Sequence, residues 1–300
     1  MAWNTAMALD ALRGGDLLEI GILANQIRRN LHPENVVTYE LRGMATSLEQ
    51  ASREAASHRG SVDLSQIRDT EYVPLDTFEA SLLAQNTQPL EVTFHHLPIS
   101  RLQAVDGSAL AEKLLRLRQA GLRSLSANFR PVQTTAASTT HLGALLRAAV
   151  ECDLFASISI TIGNSESLEQ RVKTLAMLRA LQEESNAIHA VLLRVYHAAT
   201  PEARREEEAT AVDYLKTLGV IRLFLDNVEH LQADWSVMGP KVLELALRFG
   251  ADDAGAVPWS QAGNLEPSHH GGESELRRII RDAGFRPVER DALFRQSLLR

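Results

Sequence analysis

Asp252 and Asp253 stand side by side in GADDAG, and paired carboxylates can do acid–base work. The same pair could instead cap a helix and hold a strand end. Glu166, in the turn of GNSESLEQ, could contact a polar ligand or favour the first turn of the next helix through its dipole. His95 and His96 follow an apolar run, where a histidine could act in catalysis, bind a metal or cap a rim. Glu166, Asp252, Asp253 and His95 are therefore the candidate catalytic residues. Asn128, Arg194, Tyr196, Gln232 and Trp235 are the candidates for lining a ligand cavity. Arg194 stands out among them, because a buried arginine usually needs a carboxylate or an anionic ligand. His269-His270, between Pro267 and Gly271, reads as a loop, and no metal site is expected. Cys152, in VECDLF, has no histidine beside it and reads as a buried structural thiol.

These residues need elements to position them. Ala8–Leu31 carries Ile20, Leu23, Ala24 and Ile27 at helical spacing, and Pro33 ends the pattern. Residues 36–41 follow as a strand rich in β-branched side chains. Further strand-length apolar runs occupy 90–95, 124–129, 156–162 and 188–196, and a seventh strand is expected near Gln232 and Trp235. Ile158, Ile160 and Ile162 alternate with Ser159 and Thr161, as barrel strands do. Capping signatures open helices at Thr46–Glu49, Asp76–Glu79 and Ser167–Gln170. Leu168, Val172, Leu175, Leu178 and Leu181 share one helix face, as do Val242, Leu245, Ala246 and Phe249. Strands and helices alternating at about 30-residue spacing mean βαβ units around a parallel sheet. Seven or eight such units make an α/β protein with a (β/α) TIM-type barrel, closed or incomplete. No glycine-rich phosphate loop follows the first strand, which disfavours a dinucleotide-binding fold. One domain is expected over 1–300: a helical cap at 1–34, the barrel at 35–255 and a helix–strand extension at 256–300.

The 300 residues are 45% hydrophobic and 23% charged, enough apolar material for a large core and too much for disorder. A net charge of −7 gives no footprint for nucleic acid. The run EARREEE at 202–208 mixes signs and reads as a solvated helix face. One cysteine excludes an intrachain disulfide and fits the cytoplasm. The opening residues do not have the pattern of a signal peptide, and no window has the roughly 18 apolar residues of a membrane span.

Several stretches resemble one family. DLLEIGILANQIRRNLHPENVVTY (16–39) is similar to the opening helix and first strand of cyclic dehypoxanthinyl futalosine synthase. LDNVEHLQADW (225–235), GPKVLELALRFGADDAG (239–255) and ELRRIIRDAGFRPVERDALF (275–294) resemble the C-terminal third of that enzyme and of its relatives, aminofutalosine synthase and the deazaflavin synthase subunits. GNSESLEQRV (163–172) resembles the family's turn after a strand. The resemblance implies a radical S-adenosylmethionine barrel from menaquinone biosynthesis. Such enzymes hold a 4Fe–4S cluster on a CxxxCxxC loop after the first strand. Here Tyr39 leads into ELRGMATSLEQ, without cysteine. Thiolates hold such clusters, so neither the cluster nor another cofactor is expected. The glycine-rich segment after the second strand is replaced by IRDTEYVPL (67–75), and the glycine run of the fourth by Leu125-Ser126-Ala127-Asn128. Asn164 replaces a family histidine, and Val257-Pro258-Trp259-Ser260-Gln261 replaces an acidic segment. The resemblance implies a non-catalytic relative that binds a cluster-bearing paralogue or a nucleoside-like small molecule. The alternative is a cofactor-free acid–base enzyme acting on a nucleoside-like substrate.

Overall fold

A computed structural model describes residues 3–44, 61–65, 80, 93–102, 105, 107–131, 136–163, 165–198, 200, 208–233, 235–258 and 272–296. The strands are β1 (Val36–Met44), β2 (Ser61–Asp63), β3 (Thr93–His95), β4 (Leu97–Pro98), β5 (Ser124–Phe129), β6 (Phe155–Ile162), β7 (Ile188–Val195), β8 (His230–Ala233), β9 (Asp253–Pro258) and β10 (Arg286–Arg290). The helices are α1 (Thr5–Gly14), α2 (Leu17–Leu31), α3 (Gly107–Gln119), α4 (Ala136–Glu151), α5 (Leu168–Ser185), α6 (Ala211–Phe224), α7 (Trp235–Met238), α8 (Pro240–Ala246) and α9 (Glu273–Asp282).

The expected barrel is present, and its ring closes. The strands pair in parallel in the order β3-β2-β1-β9-β8-β7-β6-β5-β4. The two ends of that order are halves of one segment, interrupted at His96, whose φ is 58°. β3 pairs with β2 on one side and β4 with β5 on the other, so this segment joins the ends of the sheet. His95 and His96 therefore sit within a wall strand rather than after it. A left-handed residue there changes the strand's direction.

β10 is an addition to the ring. It runs parallel to β1, with Val36–Glu40 opposite Arg286–Arg290, while β2 takes the upper end of β1 at Gly43 and Met44. The extension is thus part of the wall, and the barrel crosses the expected boundary at 255, because β9 runs to Pro258.

In β6 the isoleucines are buried while Ser157 and Ser159 are half-buried. Ile158, Ile160 and Ile162 pack with Val172, Leu175 and Leu178 of α5, so the serine and threonine positions face the lumen. Ser167 caps α5 with its reciprocal bond to Gln170, as the capping signature predicts. The signatures at 46–49 and 76–79, and His269-His270, lie outside the described residues.

The opening helix is two helices. Gly15 leaves helical geometry, and Asp16 starts α2 by accepting a hydrogen bond from Glu19 N at 2.9 Å. Two other sequence readings also change. Leu245 is 51% exposed and Phe249 lies beyond α8, so that stripe is not one buried face. Trp235 begins α7 instead of lying on a strand.

α2 packs on α6 at a close approach through Gly219, where an added Cβ would lie 2.5 Å from Ile20 Cγ2. Alanine gains about 1 kcal/mol of helix propensity, whereas overpacking costs about 1–3 kcal/mol. Gly219→Ala is therefore expected to lower stability by about 1 kcal/mol in urea unfolding, and a gain in stability would contradict this packing. Among the described residues, no helix is long and apolar enough to cross a membrane.

Candidate functional site

In (β/α) barrels chemistry takes place at the C-terminal ends of the strands. Register places Asn128, Ser159, Leu192, Gln232, Asp253 and Thr38 side by side around the ring, on the lumen face. Two residues above Leu192 comes Arg194, opposite Thr161. Thr161 Oγ1 donates to Asn128 Oδ1 at 2.9 Å, and Asn128 is exposed at the rim. Tyr196 follows β7, with the Arg130 guanidinium 5.0 Å from its ring centroid. Arg194 is half-buried, and among the described residues no acid, carbonyl or ring engages its guanidinium. The described mouth thus offers one unsatisfied cation beside Asn128, Thr161 and Gln232. A carboxylate or phosphate is the matching group.

Glu166 is at this end and is engaged through one oxygen only, its Oε2 being buried without a partner. Its Oε1 accepts from Gly163 N at 2.9 Å and from Arg171 Nη2 at 2.6 Å. Arg171 also reaches Asp213 and Thr217, so Glu166 ties the turn after β6 to α5 and α6. Oε1 thus has a structural role, and Oε2 remains without a partner.

Deeper in the lumen lies a ladder of buried charge. Arg290 grips Asp253 through two bonds, Nε to Oδ2 at 2.6 Å and Nη2 to Oδ1 at 3.0 Å. Its Nη1 donates to Glu40 Oε2 at 2.9 Å. Arg42 Nη1 lies 3.5 Å from the same Glu40 oxygen and 2.7 Å from Asp63 Oδ2. Burial is the largest influence on the Asp63 carboxyl and would raise it, but Arg42, His96 and the hydrogen bonds from Ser65 together hold the group below its ordinary range. Burial would lower Arg290, but Asp253 and Glu40 raise it above the usual arginine value. Asp253 also accepts from Thr38 Oγ1 at 2.7 Å, so this carboxylate has no free oxygen for proton transfer.

His95 points into the same lumen, 5% exposed, with its Nε2 3.0 Å from Thr93 Oγ1. Its Nδ1 is buried without a partner. Burial lowers both His95 and His96 to about 4, against the attraction of Asp63, so each imidazole is neutral near pH 7.

The paired aspartates separate. Asp253 begins β9 and faces the lumen; Asp252, one residue earlier, lies at the N-terminal face. Asp252 Oδ1 accepts from Arg222 Nη2 at 2.5 Å and Leu231 N at 2.7 Å. Its Oδ2 lies 2.7 Å from His230 Nδ1. Neither residue caps a helix; both hold the start of a strand. Also at this end, Phe294 closes the lumen, stacked 4.0 Å from the His230 ring and beneath the Arg290 guanidinium. A cavity of about 510 Å³ opens beside it, lined by Thr93, His95, Arg123, Phe155 and Leu293 among others. It lies opposite the end where barrel chemistry is expected. Cys152 is remote from the mouth, packed with Leu145, Ala149 and Leu154 in the helical shell, where burial pushes its thiol up.

Residues 199–298 match the model of the CofH/MqnC C-terminal region. The cyclic dehypoxanthine futalosine synthase of Streptomyces coelicolor is 29% identical over 134 residues, covering 44% of this chain and 34% of that enzyme. The aminodeoxyfutalosine synthase of the same organism is 30% identical over 220 residues, 65% of this chain and 57% of that enzyme. Over these segments the chain is similar to the futalosine-pathway synthases. Its matches span from a third to somewhat over half of those two enzymes. The likeness in shape is wider than the likeness to futalosine-pathway enzymes. Methylornithine synthase superposes with a TM-score of 0.68 at 14% identity, covering 96% of this chain and 94% of that one. The FeFe-hydrogenase maturase HydG from Carboxydothermus hydrogenoformans gives 0.70 at 12% identity, covering 98% and 78%. The region matched to the futalosine-pathway model carries β8, β9 and β10, and with them Gln232, Asp252, Asp253 and Arg290. Glu40, Arg42, Asp63 and Arg290 were not singled out from sequence. The alternation of Thr38, Glu40 and Arg42 with Val37, Tyr39 and Leu41 was the signal for the first two.

Proposed function

We propose that this chain uses the barrel of its futalosine-pathway relatives to bind a small anionic, nucleoside-like molecule, without cluster-dependent radical chemistry. The observation that carries the binding half is Arg194, a cation at the C-terminal mouth beside Asn128 and Thr161 with no partner among the described residues. The donor set argues the other half. A 4Fe–4S cluster of this kind takes cysteine thiolates, and the sequence holds one cysteine, buried in the helical shell. The residues do not fit the cluster, and no step is routed through it. A cluster-bearing paralogue would supply the radical chemistry as a partner.

The test pairs anaerobic reconstitution with iron and sulfide and a thermal-shift panel containing S-adenosylmethionine and nucleosides with and without a carboxylate. The expected result is no stoichiometric cluster, and stabilisation by a carboxylate-bearing nucleoside. At about 100 times its dissociation constant such a ligand adds roughly 2.7 kcal/mol. Arg194→Ala should abolish the shift while leaving the unliganded midpoint unchanged. A stoichiometric 4Fe–4S cluster, or a shift that survives Arg194→Ala, would overturn the reading. The alternative, cofactor-free acid–base chemistry, has the unpartnered Nδ1 of His95 in its favour. Iron-independent turnover of a nucleoside would establish it instead.

A further inference from the structure

At the N-terminal end of the barrel, away from the mouth, three side chains from distant parts of the sequence converge. His32 follows α2, His230 begins β8, and Asp252 precedes β9. Their ligand-capable atoms all lie within 4.8 Å of one another. Asp252 Oδ2 is 2.7 Å from His230 Nδ1 and 3.4 Å from His32 Nε2. The two imidazoles are stacked, with centroids 5.1 Å apart and planes inclined by 20°.

We propose that His32, His230 and Asp252 form a binding site for a borderline divalent transition metal such as Zn²⁺. It is independent of the ligand reading for the mouth. Two imidazole nitrogens and one carboxylate oxygen form a donor set that suits zinc and its neighbours rather than Mg²⁺ or Ca²⁺. With metal–ligand bonds of about 2.0–2.1 Å, tetrahedral geometry sets ligand atoms about 3.4 Å apart. The Oδ2–His32 spacing already matches. The Oδ2–His230 spacing must open by about 0.7 Å, and the stacked rings must turn so that His32 Nε2, now 3.0 Å from the Glu229 carbonyl oxygen, faces the ion.

The surroundings orient the carboxylate as an outer shell does. Arg222 and Leu231 N hold Oδ1, which leaves Oδ2 toward the two histidines. The His32 side chain is 15% exposed, so an ion can reach the site and keep a water as its fourth ligand. The Arg222 cation opposes an ion here, and Glu229, 61% exposed and 3.8 Å from His230 Nε2, offsets it. Bound metal would tie the end of α2 to β8 and β9, fixing the closed end of the barrel. The sequence alone indicated no metal, since its three ligands are dispersed along the chain.

The test is titration of the metal-free full chain with Zn²⁺ alone, followed by calorimetry and thermal unfolding. Co²⁺ serves as a spectroscopic reporter of tetrahedral coordination, and Mg²⁺ as the hard-ion control. The expected result is one Zn²⁺ per chain, a raised unfolding midpoint and a tetrahedral Co²⁺ spectrum. His32→Gln should weaken Zn²⁺ at least about tenfold, and His197→Gln, an exposed position outside the trio, should not. His32 lies at a helix end, so this variant keeps the fold even if His230→Gln does not. Absence of Zn²⁺ binding, or binding unaffected by His32→Gln, would overturn the proposal. So would binding lost in Glu229→Gln but kept in His32→Gln, since His189, Glu229 and His230 form the neighbouring trio.

Discussion

Replacing Arg290 with methionine is expected to cost about 3–5 kcal/mol, the loss seen when one partner of a buried ion pair is removed. The reason lies in what remains. Asp253 and Glu40 are 0% and 2% exposed and would face each other across the vacated space without their counter-ion. Arg42 cannot serve both acids, because it is already 2.7 Å from Asp63. The stacking of the guanidinium on Phe294 at 3.8 Å would go as well. Against a total stability of about 5–15 kcal/mol, such a loss removes from about a fifth of the stability to all of it. Urea unfolding reads the effect directly. Adding Glu40→Gln to Arg290→Met should restore part of the loss, because one stranded charge is removed. A single variant within about 1 kcal/mol of the parent would mean that the ladder does not hold the wall together.

Acid should destabilise the fold well above the pH at which carboxylates protonate. His95 and His96 titrate at about 4 in the folded chain and near 6.5 when unfolded. Above about pH 6.5 both states carry neutral imidazoles, and stability does not depend on these groups. Between about 6.5 and 4 the unfolded chain takes up protons that the fold refuses, so stability falls as pH falls. Below about pH 4 the effect levels off. For His95 alone the loss is on the order of 3 kcal/mol. The nearby charges pull both ways: Asp63 and Asp291 favour the imidazolium, Arg123 and Arg42 oppose it, and burial outweighs them all. Urea midpoints measured from about pH 7 to pH 4.5 should decline in the parent and decline less in His95→Gln. Parallel curves for the two would remove His95 from the explanation.

Much of the frame was legible because local signals agreed with the fold. The residues expected at 124–129 form β5, and the β-branched alternation near 158–162 marks β6, because period-2 burial survives when helices cover only one face of a strand. The capping box of α5 needs only four residues to declare itself. Other features depend on residues far apart. β2 has three residues and little apolar content, and its place is fixed by pairing with β1 and β3. The turn in the wall at His96 rests on one positive φ that no pattern announces. Asp252 and Asp253 looked like one pair, but a strand starting between them gives each a different surrounding. Arg290 sits in an ordinary-looking FRPVER segment, and nothing local ties it to Glu40 at the other end of the sequence. Arg194 was legible as an arginine in an apolar strand; that it has no partner among the described residues required the three-dimensional arrangement.

The seam between β1 and β10 also governs when this barrel can exist. β1 is synthesised early, yet its lower edge pairs with Arg286–Arg290. On the ribosome, a nascent chain can assemble β5, β6 and β7 from near neighbours while β1 waits with an open edge. Glu40 and Asp253 wait with it, because their counter-ion has not been made. Closing so long a loop is slow compared with local pairing. The last wall strand therefore acts as a latch, since Glu40 and Asp253 meet their counter-ion only after Arg290 has emerged.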